Sequence, residues 1–287
     1  MKLHRYAGMC LLLIFTTTLT RSPRRVQQTK HVSSPNSSQK QAIIFDLTNI
    51  LFKEDQIGFA KKVGYATLAS YTLTHWKSPG YRCLDMLAAM SLQNEHKPHI
   101  TITLKERILP RCLVELQEGK KNCAQARIEI AQGIEALDAA RFFSTPKEKQ
   151  LMTTIMNLVL DPEVIAAITE PNKQAVQLAQ KLKNSGHRLY LFANLPDEFY
   201  ASLRNEHSDI IKLFDGIVIS SQVKSVKPEK AMFTELLTTH KLNPQECILI
   251  DDLPETISAA KKLGIDGVVG DKMSHVTNKL RSCGVKI

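Results

Sequence analysis

The chain has 287 residues, 43% of them hydrophobic and 23% charged, with 12 Gly and 12 Pro. That balance excludes a disordered, collagenous or low-complexity chain and suits one large domain, or a domain with an insert, around its own apolar core; six scattered cysteines exclude a disulfide-built scaffold. The net charge of +10 points to anionic partners, but residues 1–45 carry +7 of it with no Asp or Glu, and the remainder is nearly balanced. Aromatics are 6% and no basic stripe is interleaved with them, so nucleic acid is not an expected partner.

At the N-terminus, Lys2 and Arg5 precede an apolar run at 9–15, continued by 16–20 and ended by Arg21. The run is shorter than the roughly 20 apolar residues that span a bilayer. Basic start, short apolar stretch and small residues such as Thr18 and Thr20 form a signal-peptide layout. It predicts an exported protein, periplasmic or secreted, that meets a membrane only during export or through a weak N-terminal anchor. The Arg, Ser and Thr bias before the first acid, Asp46, also fits an organelle transit peptide. The polar, aperiodic stretch at 22–41 also fits the plain tail of a cytoplasmic protein. Residues 1–40 are therefore read as a targeting segment and linker.

Next, 41–46 is a compact apolar run ending in Asp46, a buried strand presenting a carboxylate at its C-terminal end. Helical periodicities follow at 57–74, 81–92, 108–119, 124–137, 146–160 and 162–169, with a candidate short strand at 101–104. Then the rhythm changes. Residues 172–184 read as a helix stopped by Ser185-Gly186, 188–193 as a strand and 198–206 as a helix. Residues 216–220 read as a strand, 228–240 as a helix opened by proline, and 247–251 as a strand. A helix at 254–263 stopped by Gly264 and a strand at 266–269 complete the pattern. Strands alternating with helices predict an α/β fold with a parallel sheet covered on both faces, whose ligands bind at the carboxyl ends of the strands.

Those strand ends carry Asp46, Ala193-Asn194, a stretch leading through Ser220-Ser221 to Lys227-Pro228, and Asp251-Asp252. A carboxylate, an amide, an ammonium and two more carboxylates converging on one crevice would bind a divalent cation and an anion together. Each piece also has an ordinary structural explanation. Asp252 can be an N-cap with Pro254 in the first turn and Glu255 completing a capping box, and Lys227-Pro228-Glu229 can simply start a helix. No GxGxxG follows a strand, no Walker A sequence occurs, and Cys83, Cys112, Cys123, Cys247 and Cys283 show no CxxC spacing. His75, His96 and His99, near Trp76, read as surface loop residues, and His187 as part of the turn before a strand.

Four stretches resemble the haloacid dehalogenase-like hydrolase superfamily: IIFDLTNILF at 43–52, LYLFAN at 189–194, SSQVKSVKPEKAMF at 220–233 and CILIDDLPETISAAKKLGI at 247–265. The resemblance implies a Rossmann-like core formed by 41–55 and 171–287, with 56–170 inserted as a helical cap. It implies Asp46 as nucleophile, Lys227 and Asn194 in the catalytic site, and Mg2+ held by Asp46, the Thr48 carbonyl and Asp252, with Asp251 as an additional acid. The implied activity is a Mg2+-dependent phosphatase acting through an aspartyl intermediate on a small phosphorylated, or otherwise anionic, substrate. Two departures stand out. The general acid/base Asp of the family's phosphatases is here Thr48, and the hydroxyl of the second motif is here Ala193. Loss of a positioned acid/base costs about 100- to 10,000-fold, and one missing anion-hole donor about 100-fold. Threonine at this position also occurs in the family's ion-pumping ATPases, so the sequence fits slow chemistry as well as a degenerate member that binds a ligand or protein without catalysis. The glycine usual after the second Asp is replaced by Asn49, which tolerates a left-handed turn.

Overall fold

The computed structural model describes residues 42–75, 78–93, 103–104, 107–270 and 272–287. The N-terminal segment, Trp76, His96, His99 and the first half of the 101–104 strand lie outside the described residues. Among the described residues no helix is long and apolar enough to cross a membrane.

Strand β1 (Ala42–Phe45) is buried along its whole length. Three-residue strand β2 (Phe52–Glu54) follows. Helix α1 (Gln56–Val63) starts where the Asp55 side chain accepts the Ile57 amide, and it ends at Gly64, whose φ of 101° only glycine adopts freely. That break splits the single helix predicted over 57–74, because α2 (Tyr65–His75) begins directly after it. After α3 (Pro79–Gln93), β3 (Thr103–Leu104) pairs antiparallel with β4 (Arg107–Ile108). Helix α4 (Arg111–Gln117) is followed by α5 (Cys123–Ala139), which opens on a reciprocal capping box between Asn122 and Gln125. Helices α6 (Pro146–Val159) and α7 (Pro162–Ala167) each have proline in the first turn and a side-chain cap, from Thr145 and Asp161. Strand β5 (Thr169–Pro171) returns antiparallel to β2, pairing Phe52 with Pro171 and Glu54 with Thr169. The helices α1 to α7 thus leave and rejoin the chain through one two-stranded ribbon.

The remainder alternates helix and strand as the sequence predicts. Its elements are α8 (Lys173–Asn184), β6 (Arg188–Ala193), α9 (Asp197–Glu206), α10 (Ser208–Ile211), β7 (Gly216–Ile219), α11 (Ser220–Val223) and α12 (Lys230–Thr239). After a 3-10 turn at Pro244–Glu246 come β8 (Cys247–Asp251), α13 (Pro254–Lys262), β9 (Asp266–Val269) and α14 (Met273–Ser282). The sheet has order β7-β6-β1-β8-β9 and all its pairs are parallel. Alternate residues of each strand enter opposite layers. Ile43, Phe45, Leu191 and Ile250 join the core shared with α8, α14 and the inserted helices, while Ala42, Ile44, Phe192 and Leu249 pack on Met232, Phe233 and Ile257 of α12 and α13. This is the parallel Rossmann-like α/β core with helical insertion that the sequence led us to expect. In register, Phe45 stands opposite Leu191 on one side and Ile250 on the other, so Asp46 and Asp251, one residue on, and Asn194, three residues on, emerge at the same end of the sheet.

Candidate active site

Asp46 follows β1, held by its backbone N–H donating to the Ile250 carbonyl at 2.8 Å, and it is buried. Lys227 comes from the segment between α11 and α12, preceding a cis peptide bond to Pro228. Its Nζ donates to Asp46 Oδ1 at 2.7 Å, Asp251 Oδ2 at 2.8 Å and the Phe192 carbonyl at 3.0 Å. An ammonium has three protons, so this one is fully satisfied and fixed in direction. Asn194 clamps the lysine's backbone, accepting from its N–H at 2.7 Å and donating to its carbonyl at 3.1 Å. Asp251 Oδ1 accepts the Leu253 amide at 2.9 Å.

Asp252 does not cap the next helix; Leu253 occupies the cap position without a side-chain bond. Instead Asp252 Oδ2 accepts from the Asn49 amide at 2.7 Å, and its Oδ1 is buried without a hydrogen-bond partner. Asn49 sits at φ 62°, the left-handed turn its residue type allows. Thr48 Oγ1 lies 3.5 Å from Asp46 Oδ2, at the outer limit of a hydrogen bond.

The electrostatics follow from crowding. Oxygens of Asp46, Asp251 and Asp252 lie within 4.8 Å of one another. Burial pushes the Asp46 carboxyl up to about 8, against the pull of Lys227, and Asp251 and Asp252 add to the rise. Burial and then Asp251 raise Asp252 to about 6, with the Asn49 hydrogen bond opposing. Burial alone would lower Lys227, but Asp251 and Asp46 outweigh it and hold the ammonium well above its usual range. Fully ionised, three carboxylates against one ammonium leave two negative charges in excess, which one divalent cation would neutralise. All donors are oxygens, the set preferred by a hard cation such as Mg2+, and Asp252 Oδ1 offers an unused buried lone pair. The residues present therefore fit Mg2+.

All six residues singled out in the sequence gather at this end of the sheet, but in unequal positions. Asp251, predicted only as a neighbour, contacts Lys227 directly, as Asp46 does. Asn194 supports the lysine through its backbone. Two side-chain roles escaped sequence reasoning, although both residues were noted there, one for a turn and one at a strand end. One is the Asn49 side chain, whose partner lies 203 residues away. The other is Ser220, fully buried, which accepts the Leu195 amide at 2.9 Å and donates to the Gln117 carbonyl at 2.6 Å, tying α4 of the insert to the loop after β6. Nothing local in the sequence signals either bond.

The haloacid dehalogenase-like hydrolase profile matches residues 107–269, a stretch holding Lys227, Asp251 and Asp252. A sesquiterpene phosphatase of Aspergillus oryzae is 29% identical over 113 residues, covering 39% of this chain and 54% of that protein. Bifunctional epoxide hydrolase 2 of Mus musculus is 30% identical over 97 residues, 33% of this chain and 18% of that one. The chain thus spans about half the length, or less, of these curated relatives. Among solved structures, a haloacid dehalogenase family enzyme of Bacteroides thetaiotaomicron shares the fold with a TM-score of 0.51 at 17% identity, covering 84% of this chain and 99% of that one. A variant of that enzyme in complex with magnesium and inorganic phosphate also gives 0.51, at 16% identity over 83% of this chain and 98% of its own. With the profile spanning more than half of its length, the chain belongs to the haloacid dehalogenase-like hydrolase family.

Proposed function

We propose that the chain is a Mg2+-dependent phosphatase that moves a phosphoryl group from a small phosphorylated compound to Asp46 and then to water, slowly. The observation that carries this reading is Lys227 Nζ held between Asp46 and Asp251 at 2.7 and 2.8 Å, with Asp252 completing the acid cluster. The sesquiterpene phosphatase relative and the magnesium and phosphate complex of the structural neighbour support it.

Lys227 holds Oδ1 of Asp46, which leaves Oδ2, on the Thr48 side, as the attacking oxygen. Attack forms the Oδ2–P bond as the bond from phosphorus to the substrate oxygen breaks. The departing oxygen takes its proton from water, because the Thr48 hydroxyl does not ionise near neutral pH. Lys227 offsets charge on the nucleophile. Asp46, Asp252 and the Thr48 carbonyl would hold Mg2+, whose contribution when bound is charge neutralisation at the phosphoryl oxygens. Water then cleaves the aspartyl phosphate, again without a positioned base, so the adduct outlives one turnover of leaving-group loss.

The test is phosphate release from an aryl phosphate, with and without Mg2+, beside mass measurement after exposure to acetyl phosphate. We expect Mg2+-dependent release and a slowly decaying adduct, both abolished by Asp46→Asn. Absence of both in a folded protein would favour a catalytically degenerate module that binds a ligand or protein.

A further inference from the structure

Asn49 lies in the turn that follows β1, and it makes a bond that the turn does not require. At φ 62° its backbone is left-handed, a conformation that Gly adopts at no steric cost and Asn tolerates. The turn is fixed without help from the Asn49 side chain. Phe52 N–H donates to the Leu47 carbonyl at 2.9 Å, and the buried Asn172 side chain donates to the Ile50 carbonyl at 2.8 Å. Asn172 N–H also donates to the Leu51 carbonyl, at 2.9 Å. Glycine would therefore serve this backbone equally well. What the Asn49 amide adds is the 2.7 Å bond from Nδ2 to Asp252 Oδ2.

The three clustered acids differ in the oxygens they have left. Both oxygens of Asp251 are taken, one by Lys227 and one by the Leu253 amide. Asp46 gives Oδ1 to Lys227, and its Oδ2 stands 3.5 Å from the Thr48 hydroxyl. Asp252 has Oδ1 buried without a hydrogen-bond partner and Oδ2 engaged by Asn49. With that amide in place, Asp252 offers a cation one oxygen. Without it, Asp252 could turn both oxygens to a cation, which neither Asp46 nor Asp251 can do while Lys227 holds them.

The number of oxygens bears on which cation is bound. Mg2+ demands octahedral ligands at about 2.0–2.1 Å and is usually held by one or two carboxylates beside waters. Ca2+ takes about six to eight oxygens at roughly 2.3–2.6 Å and readily accepts both oxygens of one carboxylate.

We propose that Asn49 sets the cation preference of the acid cluster: by holding Asp252 Oδ2 it keeps that acid a one-oxygen ligand, and so favours Mg2+ over Ca2+. Asn49 is a positioning residue that acts through Asp252. The inference rests on the Mg2+ reading of the cluster.

The test is calorimetric titration of the full chain with magnesium chloride and, separately, calcium chloride. Wild type should bind Mg2+ more tightly than Ca2+. Asn49→Gly keeps the left-handed turn and removes the amide; it should weaken Mg2+ by about tenfold, as loss of a group that orients a metal ligand does. Ca2+, compensated by the second oxygen, should weaken by less than about threefold or bind more tightly. Asn172→Ala is the control. It loosens the same turn at the Ile50 carbonyl but spares the Asn49–Asp252 bond, so it should move both cations by the same factor. Melting temperatures without metal establish that the variants fold. Equal weakening of both cations by Asn49→Gly, or no change in either, overturns the proposal and leaves the Mg2+ reading standing. So does a change of preference in Asn172→Ala as large as that in Asn49→Gly, which assigns the effect to the turn. Tighter binding of Ca2+ than of Mg2+ by wild type overturns it with no variant needed. Binding of neither cation at millimolar concentration by folded wild type overturns the Mg2+ reading and this inference together.

Discussion

Replacing Lys227 by Met keeps most of the side chain's volume and removes the one ammonium in the acid cluster. Asp46 and Asp251 side chains are 4% and 0% exposed, so neither can exchange the lost partner for bulk water. The Phe192 carbonyl loses its donor as well. Breaking a buried ion pair from one side costs about 3–5 kcal/mol. In a protein of this size that corresponds to a fall in melting temperature of roughly 6–20 °C. Urea unfolding in EDTA at pH 7 measures it. The sharper test is a double-mutant cycle with Asp251→Asn. Because Lys227 and Asp251 are in direct contact, the double variant should be more stable than the sum of the single losses by at least about 1 kcal/mol. A single loss below about 1 kcal/mol, or strict additivity, would refute the claim that this lysine holds the cluster together.

Thr48→Asp combined with Ala193→Ser should raise turnover of an aryl phosphate at least about tenfold, part of the acid/base contribution; unchanged steady-state rates in the folded double variant would reject it. Ser220→Ala removes a buried acceptor from the Leu195 amide and a donor from the Gln117 carbonyl, and should cost about 1–3 kcal/mol in urea unfolding. Glu148 supplies a pH-dependent case. Burial raises its pKa, but the Ser144 amide, Arg82 and Tyr71 together outweigh that and hold the carboxyl below its ordinary 4.5. Its folded pKa is depressed, so its contribution is complete above about pH 4.5 and is lost as pH falls through the lower folded value. The stability advantage of wild type over Glu148→Gln should therefore be flat from pH 6 to 8 and shrink below about pH 4.5; a constant difference down to pH 3 would contradict it.

The strands were legible because a parallel sheet buries both faces. Arg188–Ala193, Cys247–Asp251 and Asp266–Val269 coincide with their sequence readings, as near-continuous apolar runs. The strand-end acids followed from the same logic. What separates Asp251 from Asp252 was not legible, since neighbours at a strand end point in opposite directions and only the fold says which way Lys227 lies. The β2–β5 ribbon escaped because three-residue strands carry no periodicity and their partners are distant in sequence. Helix α14 was missed because it opens without a side-chain cap and its sequence is mostly polar.

That ribbon has a consequence for how such a protein can diversify. Phe52 and Pro171 stand side by side at the base of the insert, which touches the sheet layer a second time where Ser220 donates to the Gln117 carbonyl. The spacing of Asp46 from Asp251 is set by the pairing of β1 with β8, so loop changes in the insert away from the Ser220 contact should leave it in place. Because the entropy of closing a loop grows only logarithmically with its length, such replacement costs the sheet little. The acid cluster, held by register, can therefore stay fixed while the outer loops of the insert change.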